Sequence, residues 1–193
     1  MQKGEKRRAP RVAPPSDPVA LMDAWAYFFE MVMKEVRPQG EILFIPSCSS
    51  TKPYYASVAH KRYQALLDEV APGMVDKVTL SGILGPVPAN MEDLVAEQFN
   101  YNFYLNRYAH LQGRLPEISD RLVRYMVSFI NKFGGAYRLC ISYSRENYRK
   151  VMLRVSEHTS SKILVLPTGN RPLLGAGLEE LRSALLSADS NPL

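Results

Sequence analysis

The stretch ILFIPSCSSTKPYYASVAHKRY, residues 42 to 63, is an apolar run that stops in a cluster of hydroxyls, a cysteine, a lysine and two tyrosines, then resumes as a helix. A short, wholly apolar run reads as a buried strand. The polar cluster falls at its carboxyl end, where an open α/β sheet exposes a crevice, and the following helix turns unpaired N–H groups toward that crevice. The segment is thus a strand–loop–helix unit whose loop has the composition of a binding or catalytic site.

The pattern repeats along the chain. Leu21, Ala24, Trp25, Phe28, Phe29, Met31, Val32 and Val36 recur at helical spacing and predict a helix over 19 to 36, ended by Arg37-Pro38-Gln39-Gly40. The first strand is 41 to 46, and a helix follows over 57 to 70. A break at Ala71-Pro72-Gly73 precedes a second strand over 75 to 80. Residues 81 to 88, SGILGPVP, are rich enough in glycine and proline to predict a shaped loop, and a helix starts near Met91. Residues 118 to 133 form a strong amphipathic helix ending at Gly134-Gly135. Strand three is 137 to 143, a helix spans 145 to 158, strand four is 162 to 167, and a helix over 178 to 186 closes the chain. Strands alternating with helices predict an α/β fold, a three-layer α/β/α sandwich around a four-stranded parallel sheet. The four carboxyl ends read PSCSSTKPYYAS, SGILGPVP, SYSRE and PTGNRP, all small, polar or turn-forming.

Composition bounds the function. At 193 residues, 46% hydrophobic and 22% charged, the chain fits one globular domain over 19 to 190 behind an arm over 1 to 18. No apolar run approaches the ~20 residues of a membrane span, and the N-terminus lacks a signal peptide's apolar segment, so a cytoplasmic location is expected. Cys48 and Cys140 are too few for a disulfide framework, and no His/Cys cluster has metal-site spacing. No cofactor is called for. The pI is about 9.2. However, residues 1 to 17 hold five basic side chains against two acidic ones, leaving only +2 of the net +5 for the folded part. The proline-rich arm is therefore a flexible cation, able to touch phosphates or simply solubilising.

Several residues of the first loop suit chemistry. Ser57 caps the next helix, and His60, three residues on, either serves as a partner in the first turn or stands at the mouth of the site as a proton shuttle. Pro53 restricts Lys52 to extended geometry, which aims its ammonium, and Tyr54 with the hydroxyls from Ser47 through Ser49 and Ser50 to Thr51 surrounds it. Cys48, between strand and helix, is either a nucleophile or a small core residue; Cys140, inside strand three, is core. The glycines at 82 and 85 fit neither phosphate-binding fingerprint, which argues against nucleotide hydrolysis, but Gly82, Gly85 and Pro86 suit close approach to a flat base. The aromatics Phe99, Tyr101, Phe103, Tyr104 and Tyr108 either stack bases or fill a core. Arg145, Arg149, Lys150 and Arg154 share a helical face that either meets phosphates or is solvated.

Residues 46 to 60, PSCSSTKPYYASVAH, resemble the Pro-Cys-Ser…Lys-Pro-Tyr…Ser…His signature of archaeosine synthases, archaeal relatives of the tRNA-guanine transglycosylases. Residues 82 to 93, GILGPVPANMED, resemble that family's second motif, which places Glu92 in its glutamate position. Ser47 departs from the pattern, standing where the family has proline directly before cysteine. The resemblance implies a uracil-DNA glycosylase-like fold with parallel strands in the order 2-1-3-4, and a crevice between loops 47 to 57 and 142 to 146, so that Ser142 and Tyr143 join the substrate-binding set. It implies transfer of free lysine, through its amine, to the nitrile of a cyano-deazaguanine in tRNA, with Lys52, Cys48 and His60 catalytic and a separate chain carrying a PUA-type RNA-binding domain as partner. The alternatives are a non-catalytic module that recognises a modified base or scaffolds a partner, and a glycosylase-like enzyme. The last is disfavoured because loop 47 to 57 has no Asp or Glu.

Overall fold

Ile42–Pro46 (β1) is the central strand of the sheet, with all five of its residues buried. The structure, a computed structural model, describes residues 15 to 99, 101, 103 to 105, 113 to 169 and 173 to 189. β1 is flanked by Val75–Ser81 (β2) on one side and Leu139–Tyr143 (β4) on the other, both parallel to it, and Ile163–Leu166 (β5) pairs parallel with β4. Gly85–Pro88 (β3) pairs antiparallel with β2, giving one sheet in the order β3-β2-β1-β4-β5.

The expected four-stranded parallel sheet is thus five-stranded and mixed, and the expected loop over 81 to 88 is a hairpin. Ser81 Oγ accepts the amides of Ile83 (3.2 Å) and Leu84 (3.1 Å), closing a three-residue turn. Gly85 completes it at φ +74°, a left-handed conformation that glycine adopts without penalty. Pro86 and Pro88 are tolerated because β3 is an edge strand, where a missing N–H leaves no ladder bond unmade on the outer side. Proline density therefore marked an edge strand here.

Alternation along β1 sends Leu43 and Ile45 into one core and Ile42 and Phe44 into the other. The first core is covered by Pro18–Ala24 (α1), Ala26–Glu35 (α2), Glu92–Gln98 (α4), Leu115–Phe133 (α5) and Glu146–Glu157 (α6). Val58–Val70 (α3) and Ala176–Asp189 (α7) cover the second. The helix expected over 19 to 36 is two helices, because the backbone leaves helical geometry at Trp25, whose ring packs edge-on against Phe99 at 5.2 Å. Pro18, assigned to the arm, begins α1, and Asp17 caps it by accepting the amides of Val19 and Ala20. Residues 1 to 14, Tyr108 and residues 170 to 172 lie outside the described residues.

Gly40 sets the approach of the chain to the sheet. A Cβ there would stand 2.5 Å from the Met74 carbonyl oxygen and 2.9 Å from its carbon, both backbone atoms that no rotamer change can move. Gly40→Ala is expected to lower stability by about 1–3 kcal/mol, the usual range for overpacking. A lower urea midpoint at unchanged slope would show it. An unchanged midpoint would mean that the backbone at Met74 yields to an added methyl group.

Candidate functional site at the carboxyl ends of β1, β2 and β4

The parallel strands end on one edge, and the polar loop after β1 folds over that edge. Cys48 follows β1, its N–H bonded to the Leu80 carbonyl (2.9 Å), so the sulfur sits between the ends of β1 and β2. Sγ lies 3.0 Å from the hydroxyl of Tyr148, in the first turn of α6, and either atom can donate. The Tyr148 oxygen also accepts the Leu105 amide (3.1 Å), which leaves its own hydrogen available for the sulfur. The Gly82 amide lies against the sulfur too. Gly82 is needed at this spot, because a Cβ there would be 2.8 Å from the Tyr148 hydroxyl and 3.1 Å from the Phe103 ring.

Lys52 reaches inward from the same loop. Its Nζ donates to the Tyr101 carbonyl at 2.5 Å and stands 3.8 Å from the centroid of the Tyr101 ring, a hydrogen bond and a cation–π contact on one residue. Tyr54 and Tyr101 join hydroxyls at 3.0 Å, and Tyr101 also shares a short hydrogen bond with Ser81. Tyr54, Tyr101 and Ser81 thus form a buried relay beneath the lysine.

His60 and Ser57 hold the start of α3. Ser57 Oγ accepts the His60 amide (3.2 Å), as a cap does. His60 Nε2 bonds the Ser47 carbonyl (3.0 Å), an acceptor, so Nε2 carries the hydrogen and Nδ1 is a bare lone pair with no partner among the described residues. The ring is only 1% exposed and stacks beside Tyr54. His60 is therefore inside the wall, not at the mouth where a proton shuttle would stand.

Glu92 is likewise structural in position. Its carboxylate accepts Lys77 Nζ at 3.0 Å, the Tyr55 amide at 2.7 Å and the Thr79 hydroxyl at 3.4 Å, and both charged side chains are buried. These bonds tie the 52-to-56 loop to β2. Of the remaining expected binding residues, Ser47 acts through its backbone, Ser49 closes a local turn with Thr51, and Ser50 is exposed. Gly85 would press a Cβ against the Tyr125 ring at 2.8 Å, so it and its neighbour Pro86 serve the packing of α5 on β3 rather than a ligand. Tyr143 points to the opposite core, packing on Phe44 and Tyr63 and donating to the Leu173 carbonyl at 2.6 Å. Ser142 faces the Cys48 side, buried and without a hydrogen-bond partner among the described residues.

A family model described as a domain of unknown function, DUF5591, matches residues 26 to 185, which include all five strands and the whole site. The chain belongs to the DUF5591 family. It is also similar to the crystal structure of AF0587, an archaeal protein of unknown function, at 22% identity and a TM-score of 0.60. That match covers 82% of this chain and 49% of AF0587, so the chain spans about half of that protein's length, and at this identity the likeness speaks for the fold alone. No curated protein matches the chain.

In this DUF5591 domain burial is the largest influence on the protonation of Cys48, Lys52, Tyr54 and Tyr148. Burial pushes the Cys48 thiol up, against the opposing pulls of the Tyr148 hydroxyl, the Gly82 amide and the Lys52 charge, so the resting group is a thiol and not the thiolate that a strand–helix junction suggests. Burial also lowers Lys52, with Cys48 acting in the other direction. Each of the two groups answers to the other's charge. Burial raises Tyr54 and Tyr148 well above the ordinary phenol range, so both remain hydroxyl donors. Among the described residues no cluster of His, Cys, Asp or Glu is arranged to hold a metal ion, and no helix is long and apolar enough to cross a membrane.

Burial holds His60 down to about 4, with Lys77 lowering it further and the bond to the Ser47 carbonyl pulling it up. The unfolded state therefore binds a proton near pH 6.5 that the folded state refuses until about 4, and stability is full above 6.5 and falls as pH drops through that window. Between pH 7 and 5 the loss from this one group is about 2 kcal/mol. Urea midpoints at the two pH values measure it, and His60→Gln is expected to shrink the difference. An equal difference in that variant would place the acid sensitivity elsewhere.

The residues that sequence reading did not single out are Tyr148, Ser81, Lys77 and Ser144. Lys77 had a readable signal, a lone cation on a strand between Val75 and Val78, where a buried ammonium needs a partner. Tyr148 carried none, since its role depends on α6 starting directly above Cys48.

Proposed function

We propose that this chain is the chemistry-bearing domain of an archaeosine-synthase-like enzyme, with a uracil-DNA glycosylase-like fold, that adds lysine through an amine to the nitrile of cyano-deazaguanine in tRNA. The observation that supports this reading is that the loop after β1, inside the segment that carries the family-like signature, turns both Cys48 and Lys52 inward, the thiol onto the Tyr148 hydroxyl at 3.0 Å and the ammonium onto the Tyr101 carbonyl at 2.5 Å.

The reaction forms a C–N bond and breaks one π bond. The amine lone pair attacks the nitrile carbon, the π electrons move to nitrogen, and that nitrogen takes the proton the amine gives up, so an amidine results with no leaving group. Negative charge grows on the nitrile nitrogen, and a cation or hydroxyl beside it stabilises the transition state. Lys52 supplies that charge, and the Tyr54–Tyr101–Ser81 hydroxyls hold its platform. In the covalent form of the same reaction Cys48 adds first, its thiol proton passing to nitrogen, and the amine then displaces the thiol from the thioimidate with return of that proton. Cys48 is 4% exposed, so base entry displaces the side chains that cover the sulfur. With the folded body near neutrality, RNA grip comes from a companion chain with a PUA-type domain, helped by the basic arm.

Incubation of the chain, with that companion, cyano-deazaguanine tRNA and labelled lysine is expected to give a nucleoside heavier by one whole lysine. Lys52→Met is expected to slow transfer about 100- to 1,000-fold, the loss typical of one electrostatic group in a desolvated site. Absence of transfer by the wild-type chain favours the rival reading, a base-recognition module, for which the closed thiol is the supporting observation.

A further inference from the structure

We propose that Ser142, Ser144 and the amino-terminal end of α6 form a carboxylate-binding subsite beside Cys48, which holds the α-carboxylate of the amine donor; the donor's identity rests on the reaction proposed above, but the carboxylate chemistry does not. Two buried hydroxyls carry the argument. Ser142 is 0% exposed and Ser144 1%, and neither Oγ has a hydrogen-bond partner among the described residues. A buried hydroxyl without a partner is uncommon in a folded protein and points to a group that completes it.

Their placement is specific. Ser142 stands opposite Ile45 on β1, and the ladder runs on as the Ser47 amide bonds Tyr143 and the Ser144 amide bonds Leu166, which brings Ser144 alongside Ser47 at the carboxyl edge. By the alternation of strand side chains, both serines share the face of Cys140, the face covered by α6. Directly after Ser144, α6 begins with Arg145 at its N-cap position, and Arg145 makes no side-chain capping bond. The helix start is thus a partial positive charge beside two unsatisfied donors. Arg145 and Arg149 are half-buried nearby, and exposed Glu146 is the opposing charge. Tyr148, in the same turn, holds Cys48, so an anion bound here lies next to the thiol. An α-amino acid tethered by its carboxylate at this end of α6 extends its side-chain amine toward Cys48 and Lys52.

The test is amide NMR on the full isotope-labelled chain at constant ionic strength, with three probes: sodium acetate, L-lysine, and cadaverine, which is lysine without the carboxylate. Acetate and lysine are expected to shift the amides of 144 to 148, cadaverine is not, and lysine is expected to bind about tenfold more tightly than cadaverine. The paired substitution Ser142→Ala with Ser144→Ala is expected to abolish that discrimination. Equal shifts by cadaverine, no shift by acetate, or full discrimination in the variant would each overturn the subsite. If acetate shifts these amides while the chain transfers no lysine to tRNA, the subsite stands and the proposed reaction falls; transfer without the acetate shift has the opposite meaning.

Discussion

Glu92→Ala is expected to lower the unfolding free energy by about 3–5 kcal/mol, the usual loss when one member of a buried ion pair is removed. The reason lies in what remains. Lys77 is 8% exposed, its Nζ sits 3.0 Å from Glu92, and without that carboxylate the buried ammonium has no counter-charge among the described residues. The Tyr55 amide loses its acceptor in the same change, so the loop carrying Lys52 loosens as well. The double substitution Lys77→Met with Glu92→Leu removes both charges and is expected to recover more than half of the loss. Urea unfolding of the three variants measures it. A loss under about 1 kcal/mol for Glu92→Ala would mean that water reaches Lys77, contrary to its burial here.

Cys48→Ala is expected to abolish lysine transfer, with a rate at least about 1,000-fold below wild type if the thiol adds to the nitrile. The substitution is small and apolar in a closed site, so the chain folds and the effect falls on the reaction. Cys48→Ser separates the two forms of the mechanism. A serine hydroxyl reproduces the hydrogen bond to Tyr148 but is a far weaker nucleophile, so a covalent route stops in the serine variant while a purely positional role survives. Near-native transfer by Cys48→Ala would reduce the thiol to packing and leave Lys52 as the group that acts.

Much of this was legible in residues 42 to 63. A buried strand, a polar turn and a capped helix follow from the apolar run, the hydroxyl cluster and Ser57, and all three are in place. The residues that misled did so for physical reasons. Sequence gives a proline's local geometry but not its neighbours, so GPVP passed for a loop when it is an edge strand against α5. Glu92 had the look of a binding carboxylate, because its partner Lys77 lies across the hairpin and their distance depends on β-strand register. His60 fell at helix spacing from Ser57, but whether its ring faces solvent or the Ser47 carbonyl is settled only by how α3 packs on the sheet. Tyr143 alternates to the far core, and one residue of register separates it from Ser142 and Ser144, which face Cys48.

A crystal structure of the chain with bound cyano-deazaguanine tests the central claim most directly. The heterocycle is expected at the carboxyl edge of β1, its nitrile carbon in contact with Cys48 Sγ and its nitrile nitrogen within hydrogen-bond reach of Lys52. A base bound elsewhere, with the Lys52–Tyr101 contact and the Cys48–Tyr148 bond undisturbed, would contradict it.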